Sequence, residues 1–507
     1  MRVAFLHPDR KEDSSGSSFL YQGWAALGFV LLVAAVRLAF LGSDLVTLQP
    51  GEAALWLAGR TAGVAALGAQ PLIPLFLGVV TSIFGDTEFA LRAPGVLAGA
   101  AAAMVVWRLA MQLYEPRVAF WSVVLFTTLP VVSHGAAVAA TAAYLPLFWA
   151  LALYALLRGL KTDRLSWWLT LGLLLGLGLL TDWAMALLVP CFVIYALIST
   201  EYHALWRRRG LWVALILGGI LAAPGYWFAM ESGGASVVPT PELGGAYLVA
   251  QLALFGPLPM IVLLWVAFHS GSQGGAGSSQ DGRRAADERH RMGYRTRLFL
   301  CFSLPVLVFQ TFAAASGLVV PSVAAVPAYV GGAILVAAWM TATRLRHLLL
   351  RLAVLLNILG ALAYFNMDAG LRATGLRPPE WLDPFSDSRG LDSVGLWGAK
   401  LAALYPGAHL AFDDADLRAI LSFYIHPHPE RTLLVPGGAK ALATRPDVPP
   451  GDYLVITRDS DQDWVMELPP GSRTAGFIAL EVLSGRWLTV NALHLSIAGQ
   501  GAAAEKP

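Results

Sequence analysis

Long apolar runs separated by short polar connections make up the chain as far as about residue 366. A helix needs about 20 mainly apolar residues to cross about 30 Å of hydrocarbon, and Tyr21–Leu41 meets that requirement. It is too long for a cleaved signal peptide, so residues 1–18 are predicted to be cytoplasmic. With it the pattern predicts about eleven membrane helices, within a range of about 11 to 13. The other predicted spans are Leu91–Leu113, Val118–Ala140, Tyr144–Leu157, Leu165–Leu180, Trp183–Ile198, Leu211–Met230, Gly244–Phe268, Leu298–Gly317, Ala324–Met340 and Leu348–Phe365.

The apolar segment Pro71–Phe84 differs from these spans. It is short and contains Pro71, Pro74 and Gly78. If it does not cross the membrane, the four basic connections later in the chain all lie on the cytoplasmic side, as the positive-inside rule requires. We therefore predict a re-entrant or surface-lying hairpin on the outer face. Those connections are Arg158–Arg164, Arg207–Arg209, Arg283–Arg297 and Arg344–Arg351.

The composition changes to that of a soluble protein from about Met367 onward. Strand-like and helix-like runs alternate there, which is typical of an α/β domain. The predicted domains are therefore a cytoplasmic segment 1–18, a membrane domain 19–366 whose first outer loop is 42–90, and a periplasmic α/β domain 367–507. Examples of the strand-like runs are Thr432–Val435, Asp452–Thr457 and Trp487–Leu495, and examples of the helix-like runs are Asp392–Tyr405 and Asp414–Tyr424.

Composition agrees with a multispanning membrane protein. Hydrophobic residues make up 57% of the chain, charged residues 13%, and the formal net charge is +2. A charge so near zero gives no indication of a nucleic-acid partner. Both cysteines, Cys191 and Cys301, lie in apolar segments, so neither a disulfide framework nor a metal site is expected.

The first outer loop carries charged residues in an otherwise apolar run. A carboxylate such as Asp44 or Glu52 can act as general base on an acceptor hydroxyl, and a cation such as Arg60 or Arg92 can hold a departing phosphate. Transfer of a sugar from a polyprenyl phosphate needs these groups. The structural alternatives remain open, because loop carboxylates are often only solvated and Glu52 also suits a helix N-terminus.

Other acidic residues are weighed in the same way. Asp182 lies at a predicted outer turn beside Trp183, where an ionisable group suggests function and a helix cap is the alternative. His134 lies inside an apolar span and is expected to be buried and structural. Two acidic groups near the C-terminus are expected to be solvated turns, namely Asp413, Asp414 and Asp416, and Asp459, Asp461 and Asp463.

Several motifs resemble one family in the expected order. They are Pro50–Trp56 (PGEAALW), Gln70–Leu72 (QPL), Phe84–Gly95 (FGDTEFALRAPG), Phe148–Tyr154 (FWALALY), Gly176–Thr181 (GLGLLT) and Pro327–Tyr329 (PAY). The resemblance is to bacterial aminoarabinose-transferase-like and protein-mannosyltransferase-like glycosyltransferases (ArnT/PMT-type, GT-C). It implies a multispanning GT-C fold, a polyprenyl-phosphate-linked sugar donor and chemistry on the periplasmic face.

The sequence departs from the family pattern at several positions. The usual Asp-Glu pair of the first loop corresponds to Gly51-Glu52, and a usual His or Lys before the next proline corresponds to Gln70 or Ala69. Three further departures are the missing Asp near Ala142 or Ala143, the replacement of a Lys after Thr181 by Asp182, and Val323-Ala324 in place of an Asn-Trp pair.

The resemblance and the charged residues together predict a glycosyltransferase of the bacterial inner membrane. Its expected partners are a polyprenyl-phosphate sugar donor and an acceptor that is a lipid, a glycan or a protein. Glu52, Asp44 and Asp182 are the expected catalytic residues, and Arg60, Arg92 and Gln70 the expected substrate-binding ones; a divalent cation is left open as cofactor. The alternatives are a catalytically impaired relative that binds a polyprenyl lipid or assists an active transferase, and a transporter, which the lack of paired buried charges disfavours.

Overall fold

A computed structural model of the chain describes 23–42, 48–61, 70–198, 206–231, 243–269, 293–316, 320–376, 385, 388–426, 428–429, 432–436, 439, 441–442, 448–458, 472–483 and 486–497. The backbone forms two compact units that interleave along the sequence. Unit 1 comprises Met1–Gly42, Gly63–Ile73 and Arg92–Leu362, and unit 2 comprises Ser43–Ala62, Pro74–Leu91 and Ala363–Pro507. Parts of the first loop therefore cluster with the C-terminal segment. The domain boundaries drawn from composition stay a prediction.

Helices account for the described chain up to residue 365. In chain order they are α1 (Gly23–Leu41), α2 (Pro50–Arg60), α3 (Leu72–Phe84), α4 (Glu88–Leu113), α5 (Pro116–Thr128), α6 (Pro130–Ala137), α7 (Thr141–Thr162), α8 (Leu165–Leu179), α9 (Leu188–Ile198), α10 (Arg209–Glu231), α11 (Leu243–Phe255), α12 (Pro257–His269), α13 (Leu304–Ala315), α14 (Val326–Met340) and α15 (Arg344–Phe365). Short 3₁₀ helices precede α9 and α14, at Trp183–Leu187 and Ser322–Ala325.

Seven helices of the described residues are long and apolar enough to cross a membrane, or nine when two bent helix pairs are counted as spans. The sequence pattern predicts each pair as one continuous helix, but the structure bends α5 against α6 by 54° and α11 against α12 by 105°. Pro130 and Pro257 each start a new helix at these bends, because proline cannot donate the backbone hydrogen bond that would continue the old one. Gly256, at the second bend, has a φ of 87° that favours glycine. The total number of spans stays a prediction.

The core of unit 1 is built around α14. In the most apolar part of Ser322–Met340, the segment that contains α14, 83% of the residues are buried. This helix packs against α5, α7 and α12. By contrast α3 has only 13 residues, about 20 Å at 1.5 Å per residue, and falls short of the hydrocarbon thickness. That this segment does not cross the membrane stays a prediction.

Unit 2 contains a mixed sheet beside several helices. The later elements are α16 (Met367–Thr374), α17 (Leu391–Leu404), β1 (His409–Phe412), α18 (Ala415–Tyr424), β2 (Thr432–Leu434), β3 (Gly451–Thr457), β4 (Ser472–Leu483) and β5 (Arg486–Ile497). The strand order is β2-β1-β3-β5-β4. Strand β1 runs parallel to β2 and β3, whereas β5 pairs antiparallel with β3 and β4. On one face of the sheet, Ala411, Tyr453 and Val455 pack with Ala439 and Leu442.

Candidate functional site

Two helices of the first loop cross closely in unit 2. A Cβ atom at Gly59 of α2 would lie 2.0 Å from the carbonyl oxygen of Pro74, and one at Gly78 of α3 would lie 2.7 Å from the carbonyl oxygen of Gly59. Since neither distance can accommodate a side chain, glycine at both positions allows the backbones to meet. The crossing fixes the direction of α2, whose side chains form the site described next.

Glu52 lies in the first turn of α2 and is 1% exposed. Its Oε2 accepts a hydrogen bond of 2.9 Å from the backbone N–H of Gln49, the reciprocal bond of a capping box. Pro50 occupies the first turn as well, where its missing N–H costs nothing. In this position the Glu52 carboxylate holds the start of the helix, which is the structural alternative weighed above.

The polar centre of unit 2 is Asp86, which follows α3 and Gly85. Its Oδ1 accepts a hydrogen bond of 2.7 Å from Trp56 Nε1. Its Oδ2 lies 2.8 Å from Arg60 Nη1 and 3.0 Å from His428 Nε2. The carboxylate therefore joins three side chains, two from α2 and one from the C-terminal segment.

These partners determine the charge of Asp86. Burial by itself raises its pKa, but the hydrogen bond from Trp56 and the positive charges of Arg60 and His428 outweigh burial and lower the pKa below 3.8. Asp86 is consequently ionised at physiological pH. A carboxylate held in this way is poorly suited to accept a proton from a substrate, because proton acceptance would disrupt all three contacts.

His428 is held from both sides of its ring. Its Nδ1 lies 3.0 Å from the carbonyl oxygen of Ser422, while Nε2 faces Asp86. Both neighbours are oxygen atoms, one of a backbone carbonyl and one of a carboxylate. The ring also packs against the indole of Trp56, with centroids 5.0 Å apart.

The helix that precedes His428, α18, also contacts the first loop. The rings of Trp56 and Phe423 meet edge to face with centroids 5.2 Å apart, a favourable aromatic geometry. The hydroxyl of Tyr424 donates a hydrogen bond of 2.7 Å to Glu88 Oε1 at the start of α4. These contacts show how unit 2 holds the first loop and the C-terminal segment together.

Asp182 has different surroundings, in the turn of unit 1 after α8. Its Oδ1 accepts a hydrogen bond of 2.8 Å from the backbone N–H of Ala184 and caps the short helix Trp183–Leu187. Its Oδ2 accepts one of 3.2 Å from Thr141 Oγ1 at the start of α7. No ion pair to Asp182 is found within the part of the chain that the structure describes. Burial raises its pKa above 3.8, against the smaller lowering by these two hydrogen bonds.

The turn at Asp182 also lies beside the segment of Gln70. The backbone N–H of Leu72 donates a hydrogen bond of 3.1 Å to the carbonyl oxygen of Leu180. Two departures from the family pattern meet here as well, since Thr141 precedes the position of a missing Asp and Asp182 replaces a Lys. In this chain the carboxylate lies on the Asp182 side of the hydrogen bond between Thr141 and Asp182. The family pattern instead has its Asp on the other side, near Ala142 or Ala143.

The predicted site residues divide between the two units. Glu52 and Arg60 belong to unit 2, whereas Gln70, Arg92 and Asp182 belong to unit 1. Arg92 is 3% exposed in α4, and Asp44 lies outside the described residues. The described residues contain no group of three or more His, Cys, Asp or Glu side chains that could hold a metal ion, so a divalent cation stays an open prediction.

Sequence reasoning missed Asp86, Trp56 and His428 as one group. Asp86 and Trp56 lie inside the motifs that carry the family resemblance. Nothing in those motifs indicated that the two side chains contact each other. His428 belongs to a His-Pro-His sequence at 426–428, which is an unusual signal in a soluble-type segment. A partner for it 342 positions earlier in the chain is visible only in the fold.

Comparison with known proteins finds a family model, a relative and two solved structures that are similar to this chain. Residues 68–228 match the family model for dolichyl-phosphate-mannose-protein mannosyltransferase. The lipid A galacturonosyltransferase RgtD of Rhizobium johnstonii is 24% identical over 327 residues, which cover 62% of this chain and 64% of that protein. The matched region therefore spans less than two thirds of that relative's length.

Two solved structures share the fold. ArnT from Cupriavidus metallidurans in the apo state superposes with a TM-score of 0.63 at 16% identity, over 92% of this chain and 98% of that one. The ArnT structure bound to undecaprenyl phosphate gives a TM-score of 0.60 at 14% identity, over 97% and 100% of the two chains. These likenesses show a GT-C membrane fold.

Proposed function

We propose that this chain, which belongs to the ArnT/PMT-type (GT-C) family of membrane glycosyltransferases, moves a sugar from a polyprenyl-phosphate carrier to an envelope acceptor. The acceptor is a lipid, a glycan or a protein, and the transfer takes place at the periplasmic face of the bacterial inner membrane. The relative RgtD is named for transfer to lipid A, and ArnT has been solved with undecaprenyl phosphate. The first name supports lipid A as a type of acceptor, and the second supports a polyprenyl-phosphate carrier.

The observation that carries the chemical assignment is the difference among Glu52, Asp86 and Asp182. Glu52 caps α2, and Asp86 contacts Arg60, His428 and the indole N–H of Trp56. Among the described residues, Asp182 accepts hydrogen bonds from a hydroxyl and a backbone N–H; it is partly buried, and burial raises its pKa. A general base works best when its pKa approaches the working pH, so Asp182 is the proposed base.

The proposed reaction is a single displacement. The acceptor hydroxyl gives its proton to Asp182, and the acceptor oxygen forms a bond to the anomeric carbon of the donor. The bond between that carbon and the phosphate oxygen breaks, and the phosphate leaves with the bonding electrons. Arg92 and Gln70, both in unit 1, are the proposed groups for the phosphate, since donors and positive charge stabilise the leaving oxygen.

The short helix α3 supports the proposed place of the first loop at the bilayer surface. Its exposed apolar side chains are Leu75, Phe76, Val79, Ile83 and Phe84. The first four recur at spacings that place them along one side of a helix. An apolar stripe on a helix too short to span suits the boundary between headgroups and acyl chains. The sheet of unit 2 is proposed to lie on the same outer side, as the basic connections require.

A transfer assay tests the function directly. Purified full-length protein in lipid nanodiscs is incubated with undecaprenyl-phosphate-linked sugars, neutral, amino and uronic, together with lipid A or an envelope extract. We expect one donor to release undecaprenyl phosphate in step with glycosylation of an acceptor. If undecaprenyl phosphate binds with no turnover of any donor, the protein is the catalytically impaired relative.

A further inference from the structure

An open groove runs between four helices of unit 1. It is lined by side chains of α7, α8, α9 and α10, and it contains about 350 Å³ of empty space, its open side included. One wall forms where α8 and α10 meet closely, since a Cβ atom at Gly172 would lie 2.7 Å from the carbonyl oxygen of Ala214. Every lining side chain is apolar, and the lining includes Leu156, Leu171, Phe192 and Leu215.

The groove extends over the depth of about one leaflet. Its lining begins at Leu211, two residues after the start of α10 at Arg209, and reaches Leu175, ten residues after the start of α8 at Leu165. Ten helical residues rise about 15 Å, which is half of a hydrocarbon core of about 30 Å. An acyl chain of a single leaflet has this reach.

The mouth of the groove consists of the two connections 161–164 and 206–209, and it is basic. These two described connections carry five basic residues and one acidic residue, Asp163. The Nη1 atom of Arg208 lies 3.2 Å from Asp163 Oδ1 and 3.2 Å from the carbonyl oxygen of Leu160. Arg208 thus joins the two connections, and the positive charge of the mouth exceeds the negative charge.

Three arginines of the mouth are exposed, namely Arg164, Arg207 and Arg209. Arg207 directly follows Trp206, whose ring meets that of Phe192 in the lining with centroids 6.1 Å apart. The basic connection therefore lies at the end of the apolar groove. The positive-inside rule predicts that both connections are cytoplasmic. An apolar groove that ends at exposed arginines is complementary to a molecule with an acyl chain and an anionic headgroup.

We propose that this groove binds an anionic phospholipid of the cytoplasmic leaflet. One acyl chain lies against α8, α9 and α10, and the phosphate accepts hydrogen bonds from Arg207 and Arg209. The headgroup is selected by charge, because the ammonium group of a zwitterionic phospholipid is repelled by the excess positive charge of the mouth. The site is separate from the proposed transfer chemistry, since the mouth and Asp182 lie at opposite ends of α8.

Native mass spectrometry of the full-length protein in detergent tests the proposal. The probes are phosphatidylglycerol, phosphatidylethanolamine and phosphatidylcholine with identical acyl chains. We expect phosphatidylglycerol to bind about tenfold more tightly than either zwitterionic lipid. The double variant Arg207→Gln, Arg209→Gln should weaken phosphatidylglycerol binding about tenfold or more, because each basic side chain near a phosphate adds to the affinity.

Two matched controls separate the site from general effects. The double variant Arg344→Gln, Arg351→Gln makes the same charge change at exposed positions of α15, outside the groove lining, and should bind as the wild type does. Leu215→Phe fills the groove and should weaken binding. Ile216→Phe makes a similar change at the neighbouring, 60% exposed position and should not. The arginine pairs test the proposal even where Leu215→Phe does not fold.

Four outcomes would overturn the proposal. They are equal binding of the three phospholipids, equal effects of the two arginine double variants, normal binding by a folded Leu215→Phe variant, and displacement of bound phosphatidylglycerol by undecaprenyl phosphate. The last result would mean that the groove belongs to the sugar carrier instead. Asp182→Asn should bind phosphatidylglycerol as the wild type does, and a loss of binding there would also contradict a separate site.

Discussion

Two aspartates in turns after helices, Asp86 in unit 2 and Asp182 in unit 1, have opposite surroundings. Asp86 accepts from an indole and faces the side chains of Arg60 and His428, whereas among the described residues Asp182 accepts from a hydroxyl and a backbone N–H. The pKa of Asp86 is therefore lowered and that of Asp182 raised. Sequence alone makes both residues look like acidic loop positions beside an apolar helix.

These different surroundings favour different roles for the two carboxylates. A carboxylate with three donors contributes binding energy to the fold and has little capacity left for a substrate proton. A carboxylate whose burial is not compensated by a cation costs stability and keeps its basicity. Paired titratable groups whose pKa values move apart often have distinct roles, and here the structural role falls to Asp86.

The largest expected effect is on transfer. Asp182→Asn keeps the cap of the short helix but removes the base, so we expect the rate to fall about 10²- to 10⁴-fold. Because the pKa of Asp182 is raised, the wild-type rate should increase with pH through a value above 3.8. The variant should lose this increase of the rate with pH. Single-turnover assays between pH 4 and 8 measure both.

The control is Asp163→Asn, which removes an exposed ion pair with Arg208 and should leave the rate unchanged. If Asp182→Asn kept the wild-type rate, Asp182 would not be the base.

A smaller effect, on stability, is expected at Asp86. Asp86→Ala leaves the indole N–H of Trp56, a 1% exposed residue, without its acceptor, so we expect a loss of about 1–3 kcal/mol in the free energy of unfolding. Since folding lowers the Asp86 pKa, this contribution is complete above pH 3.8 and disappears as pH falls through the folded value. Urea unfolding of the protein in detergent, at neutral and acid pH, measures it. Asp392→Ala on an exposed helix position should change little, and an equal loss there would argue against a special role for Asp86.

The smallest effect is expected at Arg60. Its side chain is 46% exposed, and exposed ion pairs contribute about 0–1 kcal/mol. Arg60→Ala should therefore destabilise the protein much less than Asp86→Ala, and it should leave the transfer rate near that of the wild type. If this variant instead lost transfer with the fold intact, Arg60 would regain the phosphate-binding role that the sequence suggested. Salt titration of the unfolding midpoint gives an independent measure, because screening weakens an exposed pair.

The sequence by itself indicated the membrane character, the short apolar segment Pro71–Phe84 and the resemblance to the family, because hydrophobic length and local motifs are properties of contiguous residues. It also indicated the α/β pattern after residue 366, although β1 and β4 were not foreseen. The bends at Pro130 and Gly256 were missed, because an apolar count does not register where the backbone direction changes.

Only the tertiary structure decided which carboxylate has which surroundings. The partners of Asp86 come from α2 and from the C-terminal segment, and the hydroxyl that meets Asp182 comes from the start of α7. Arg60, Trp56 and His428 are 26 to 342 positions away from Asp86 along the chain, and Thr141 is 41 positions away from Asp182. Electrostatic effects depend on distance through space, and no local pattern records which distant groups the fold brings within a few ångströms.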